Sequence, residues 1–260
     1  MINAQLKSKI QSINKKLQSN KDIQGHNTLT NLSSADNFNK WIYQSIKPWL
    51  KGRVLEIGSG IGNISSLIVE DGFPLMITEV NDTYLEILRQ KFIGVNLVSD
   101  IFQINLVDPD FEQKFQHLFN SFDTVIAINV IEHIENDLIA FKNAQKFLKQ
   151  EGRLIVLVPN AECLYNSLDK NLGHIRRYNK NKINNAFSKI GLIPETLFYF
   201  NFIGVVGWWV SGNLLKNKTI PKYLLNIFEF IVQYTSWMDK LFRNWFGLSI
   251  IVVGKKINRQ

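Results

Sequence analysis

The sequence predicts an α/β fold: a mostly parallel sheet with helices on both faces. Two observations carry this. Five short apolar runs, at 53–57, 73–79, 95–99, 122–128 and 153–159, alternate with amphipathic segments of helical length. The 260 residues are 45% hydrophobic and 20% charged, which is globular rather than disordered composition. A chain of this size buries enough surface to need no covalent staple. Its one cysteine, Cys163, has no internal disulfide partner and excludes a cysteine zinc cluster. A reducing, cytoplasmic setting is expected.

Taken in order, residues 1–23 carry Ile2, Leu6, Ile10, Ile13 and Leu17 at helical spacing with lysines between them, a basic amphipathic helix. The first 16 residues lack an unbroken apolar stretch, so no secretory signal is expected. Residues 37–50 read as a second helix, and 1–52 are taken as an N-terminal helical region before a domain at 53–260. Helical patterns at 61–71, 82–92, 110–119 and 134–149 separate the five runs. A helix at 182–190 stops at Gly191, a strand follows near 195–201, and a last strand covers 248–254. The net charge of +8 fits phosphates, nucleic acid or anionic lipid as partners, and equally fits lysine-rich solubility.

The sharpest motif is the run from Val54 through Glu56, Gly58, Ser59, Gly60, Gly62 and Asn63 to Ser65. A buried strand enters three glycines at alternate positions and then a helix, whose first N–H groups are free for a polar ligand. A dinucleotide fingerprint wants Gly or Ala where Asn63 stands. The G-x-G-x-G spacing with Glu56 two residues ahead resembles the first motif of the class I S-adenosylmethionine-dependent methyltransferases. The resemblance implies a Rossmann-like seven-stranded sheet of order 3-2-1-4-5-7-6, with S-adenosylmethionine as cofactor and Glu56 near its ammonium. Glu79 closes the second strand, where an acid can hold the ribose hydroxyls. Asp100, with Ile101 beside it, stands where the family's third strand ends and an acid faces the adenine. Asn129, Val130, Glu132 and His133 resemble the family's N-V-L-E-H signature at the methionine end of the cofactor.

After the fifth strand, Asp169, Gly173, His174, Arg176, Arg177 and Tyr178 resemble the D-x-x-x-G-H-x-R-R-Y stretch of a bacterial subgroup in the ubiquinone-methylase-like branch. Histidine can take a proton near neutrality, arginines can clamp an anion, and Asp169 can orient either. His174, Arg176, Arg177 and Tyr178 are therefore the catalytic candidates, each with an alternative structural use in bracing, ion pairing or core. His133 reads as packing. Glu132 and His133 are only two adjacent ligands, so no metal site is expected.

Four of six tryptophans lie beyond residue 200, and residues 196–215 carry no charge. The sixth strand claims the start of that stretch, and the remaining 14 or so residues reach only ~21 Å as helix, short of a ~30 Å bilayer core. Residues 202–246 are read as a helical insertion between the last two strands. It forms either a lid over an apolar acceptor pocket or a peripheral face on the inner side of a membrane. The expected activity is methyl transfer to a small or lipid-linked acceptor, at oxygen on the strength of His174 as a base and of what the resembling branch implies. The alternatives are a nucleic-acid methyltransferase, disfavoured because no N-P-P-Y follows the fourth strand, a non-catalytic membrane-associated protein of this fold, and a nicotinamide enzyme.

Overall fold

A computed structural model of the chain describes residues 35–217, 219 and 221–257. The expected helix at 1–23 lies outside them. The first described helix, α1, is Asp36–Ile46. Then come β1 Val54–Ile57, α2 Asn63–Glu70, β2 Leu75–Glu79, α3 Asp82–Lys91 and β3 Val98–Gln103. The next elements are α4 Phe111–Phe115, β4 Phe122–Ile128, α5 Asp137–Lys146, β5 Leu148–Pro159, α6 Ser167–Leu172 and α7 Lys180–Lys189. The chain closes with β6 Leu192–Phe200, α8 Gly204–Trp209, α9 Lys222–Thr235, α10 Asp239–Phe242 and β7 Ser249–Lys256.

The seven strands form one sheet in the order 3-2-1-4-5-7-6. β1 to β5 pair in parallel, whereas β7 runs antiparallel to both β5 and β6. Successive strand side chains point to opposite faces, and both faces are covered. Val125 and Ala127 of β4 therefore join Phe111, Phe141, Phe147 and Phe187 in one core layer. Ile126 between them joins Trp41, Ile46, Ile64, Ile68 and Leu88 in the other.

The third strand starts and ends later than expected. The apolar run 95–99 suggested an end at Asp100, but the ladder with β2 continues to Gln103 opposite Glu79. β3 is an edge strand whose positions are half-buried or exposed, so the apolar run 95–99 marks the approach to the strand rather than the whole element. The uncharged stretch 196–215 divides among β6, α8 and a π turn at Val210–Leu214. Among the described residues no helix is long and apolar enough to cross a membrane.

Candidate active site

β1 delivers the chain into the glycine loop at the carboxyl edge of the sheet. Gly58 has φ +69°, and a Cβ there would sit 2.5 Å from Cγ2 of Val130, which follows β4. Gly62 is the left-handed N-cap of α2, at φ +77°. A Cβ on it would meet Phe92 at 2.7 Å and Leu88 at 2.9 Å. The loop thus requires glycine for both backbone shape and space. Asn63 opens α2, and the Ser59 N–H bonds the Thr78 carbonyl at 3.0 Å. The Ser59 hydroxyl is buried beside the Glu56 carboxyl and makes no well-formed hydrogen bond.

Two acids hold this loop. The Glu79 carboxylate accepts the N–H of Gly60 at 2.8 Å, of Val80 at 2.8 Å and of Asn81 at 3.0 Å. Its two oxygens offer about four acceptor positions, so capacity remains for a ligand. Glu56 is buried and accepts the Ser65 hydroxyl. Burial pushes its pKa up to about 7, against the pull of Ser65 and the Lys91 ammonium. Lys91 of α3 donates to the carbonyls of Ile61 at 3.1 Å and Gly62 at 2.7 Å.

Asp100 and Ile101 lie opposite Met76 and Ile77, inside the ladder and short of its carboxyl edge. Asp100 is exposed and its carboxylate accepts the Ile101 N–H at 2.7 Å. The acid expected at the end of the third strand is therefore displaced from it, and Gln103 stands there, bonding the Val80 carbonyl at 2.7 Å. Asn129 follows β4 with φ +54° and donates its N–H to Leu157 at 2.9 Å. This turn aims Val130 at Gly58 and leads into a short 3₁₀ turn, Ile131–His133.

The loop after β5 meets that turn. α6 has a capping box of Asn166 and Asp169 and ends at left-handed Gly173. The Ile175 N–H bonds the Glu132 carbonyl at 2.9 Å, stitching the two segments together. Asp169 is fully buried, and one of its oxygens lies 2.8 Å from His174 Nδ1 and 2.9 Å from Arg177 Nε. Burial alone would raise its pKa, but His174 and Arg177 outweigh it and hold the carboxyl below the ordinary range. The other ring nitrogen of His174, Nε2, is 3.9 Å from Glu132 Oε1.

The remaining catalytic candidates are engaged by the protein itself. Arg177 is 1% exposed, donates from Nη1 to the Asn160 carbonyl at 2.8 Å and lies under the Trp208 ring. Arg176 pairs with Asp137 at 2.9 Å and bonds the Glu135 carbonyl. Tyr178 is buried with its hydroxyl on Asp137 at 2.9 Å, and burial raises its pKa. These three brace the loop around His174, whereas the sequence suggested an open arginine clamp.

Glu132 belongs to the motif after β4 but lies outside the site residues that the sequence singles out. It is 0% exposed, and neither carboxylate oxygen has a hydrogen-bond partner. Burial pushes its pKa up to about 8. Lys91 was missed as well, because its contact with the glycine loop crosses about 30 residues and leaves no local signal.

A family model described as a methyltransferase domain matches residues 9–196. The chain belongs to that family and is a class I S-adenosylmethionine-dependent methyltransferase. The methyltransferase is 27% identical over 175 residues to the lovastatin diketide synthase lovF of Aspergillus terreus, which covers 65% of this chain and 6% of the synthase. It spans only a small part of that relative. Among solved structures it is similar to a SAM dependent methyltransferase from Archaeoglobus fulgidus, with a TM-score of 0.55 and 15% identity over 84% of this chain and 94% of that one. It also shares its fold with the CurJ carbon methyltransferase, with a TM-score of 0.51 and 14% identity over 80% of this chain and 49% of that one.

The residues fit the cofactor. The Ser59 hydroxyl, without a well-formed hydrogen bond, and the spare acceptor capacity of Glu79 lie on one loop with the buried Glu56 carboxyl. Acids near a sulfonium and an ammonium suit this group better than a pyrophosphate.

Proposed function

We propose that this methyltransferase methylates a hydroxyl of a small, apolar or lipid-linked acceptor, with His174 as the proton acceptor and Asp169 as its positioning residue. The observation that carries the reading is the 2.8 Å contact between His174 Nδ1 and the buried Asp169 carboxylate. With Nδ1–H donated to Asp169, Nε2 keeps a lone pair for a proton. S-adenosylmethionine supplies a methyl group on a sulfonium that is already a good leaving group. Glu79 would hold the ribose hydroxyls, Glu56 the ammonium, and Ser59 with the Gly58, Gly60 and Gly62 backbone would line the loop. Asn63, Asn129 and Val130 complete the proposed cofactor contacts. Asp100 and Ile101 retain only a side-on role in this proposal.

Arg176, Arg177 and Tyr178 would keep the His174 loop in register rather than clamp an anion. The insertion supports an apolar acceptor. The Trp208 indole N–H bonds the Leu164 carbonyl at 3.2 Å, and the Ser167 hydroxyl lies 2.9 Å from the Gly212 carbonyl of the π turn, so α8 and the π turn cover the α6 loop. Further along, α9 turns Tyr223, Ile227, Phe230 and Tyr234 outward, a face suited to a membrane interface and to a lipid-linked acceptor.

His174→Ala is expected to retain S-adenosylhomocysteine affinity by calorimetry and to lose about 10²–10⁴-fold in turnover. The assay is labelled-methyl transfer across hydroxyl, amine and acyl-thioester acceptors. Unchanged turnover in the variant removes His174 as the base. The 27% identical synthase favours a second reading, an acyl-chain acceptor, which the thioester arm decides.

A further inference from the structure

Glu132 is the least satisfied group among the described residues of the site. A fully buried carboxyl whose two oxygens have no hydrogen-bond partner is costly, and the nearby Arg177 guanidinium offsets only part of that cost. Its neighbours are two imidazoles. His133 follows it on the same turn, and His174 arrives from a loop 41 residues downstream. Each of the three brings one ligand atom within 4.8 Å of the others. Metal bonds of about 2.0–2.2 Å put adjacent donor atoms roughly 3–4 Å apart. The 3.9 Å between Glu132 Oε1 and His174 Nε2 is already in that range.

The surroundings match what a metal site needs beyond its ligands. A ligating histidine has its other ring nitrogen bonded to a carboxylate or a backbone carbonyl. His174 has Nδ1 on Asp169 at 2.8 Å, and His133 has Nδ1 on the Gly173 carbonyl at 3.2 Å. The two rings meet edge to face, 4.9 Å between centroids. His133 is exposed, which gives an ion a way in. Two adjacent residues could not make such a site, and the fold supplies the third.

We propose that Glu132, His133 and His174 bind one first-row divalent transition-metal ion, with coordination positions left open. Two imidazoles and one carboxylate suit zinc, whereas magnesium prefers an all-oxygen shell. The inference rests on the hydroxyl-methylation reading only for what the open positions would hold. With the ion present, the lone pair of His174 Nε2 is committed to it, so its proton-acceptor role belongs to the ion-free protein, and the proton of a hydroxyl held at an open position would pass to solvent water.

The test uses tag-free full chain, stripped with chelator and titrated with Zn²⁺, Mn²⁺ or Mg²⁺ alone. Bound metal is counted by elemental analysis after dialysis, and Co²⁺ is followed by its visible absorption. One Zn²⁺ per chain is expected, with about 10–100-fold weaker binding in Asp169→Asn, which keeps the side-chain shape but weakens the support of His174 together with the Arg177 pair. Glu132→Gln and His174→Ala are expected to lose the stoichiometric ion and the Co²⁺ signal while retaining S-adenosylhomocysteine binding. Substoichiometric Zn²⁺, preference for Mg²⁺, or unchanged Zn²⁺ binding in folded Glu132→Gln overturns the site. S-adenosylhomocysteine titration of the metal-free protein tests the cofactor loop separately, so loss of one reading is distinguishable from loss of the other.

Discussion

Glu56 carries a pH signature at the scale of one residue. Its carboxyl is raised from 4.5 to about 7 by burial, so the folded chain holds a proton there that the unfolded chain has released. Stability from this group is complete below pH 4.5 and is lost as pH rises through 7. At about 1.4 kcal/mol per unit, the loss amounts to roughly 3 kcal/mol. Urea melts of the ligand-free protein from pH 4.5 to 8 are expected to show that decline, and Glu56→Gln to make it shallower while the share owed to Glu132, raised to about 8, remains. An ammonium beside Glu56 favours the charged carboxylate, so cofactor binding below pH 7 should release a proton. Calorimetry with S-adenosylhomocysteine in two buffers of different ionisation enthalpy reads this directly. Equal heats in both buffers would remove Glu56 from the ammonium site.

At the scale of elements, the ends of helices depend on distant partners. α1 starts after Ala35, which offers no side-chain cap. Its first N–H groups are instead accepted by Glu229 of α9, from Asn37 at 2.8 Å and Phe38 at 3.0 Å. A helix start carries unpaired donors and a partial positive charge, and a carboxylate satisfies both. Glu229→Ala is expected to cost about 1–2 kcal/mol in urea unfolding. Asp239 does the same for the end of β6, accepting the N–H groups of Asn201 at 2.8 Å and Phe202 at 2.7 Å. These two acids tie the insertion to the body, so its packing is specified by polar contacts as much as by apolar ones.

On the whole molecule, α9 is apolar on two sides. Leu225 and Val232 are buried toward the body, while Phe230 and Tyr234 face outward; beyond its end Trp237 is exposed too, and Trp245 is 80% exposed. Inward and outward apolar stripes on one surface helix leave a patch that water solvates poorly. With the net charge of +8, an anionic interface is the expected occupant. Vesicles containing phosphatidylglycerol should sediment the protein and blue-shift its tryptophan emission, and phosphatidylcholine vesicles should do so far less. Phe230→Ser with Trp237→Ser should weaken that binding and leave S-adenosylhomocysteine affinity intact. Equal sedimentation with both lipids, or none with either, would remove the membrane face from the proposal.

The sequence by itself determined the alternation of strands and helices, the glycine loop with Glu56 and Glu79, and, through its resemblance, the strand order. Those features are local: periodicity, steric freedom at Gly58 and Gly62, and an acid at a strand end all act within a few residues of the chain. Edge strand β3 was misjudged by the same reasoning, since an exposed strand needs no continuous apolar run and Asp100 fell inside it. Only the tertiary structure decided that Arg176, Arg177 and Tyr178 turn into the protein, and that Asp169 joins His174 to Arg177. Only it left Glu132 unpartnered between two histidines. Desolvation and hydrogen-bond satisfaction depend on which segments meet in space, and no spacing along the chain records that.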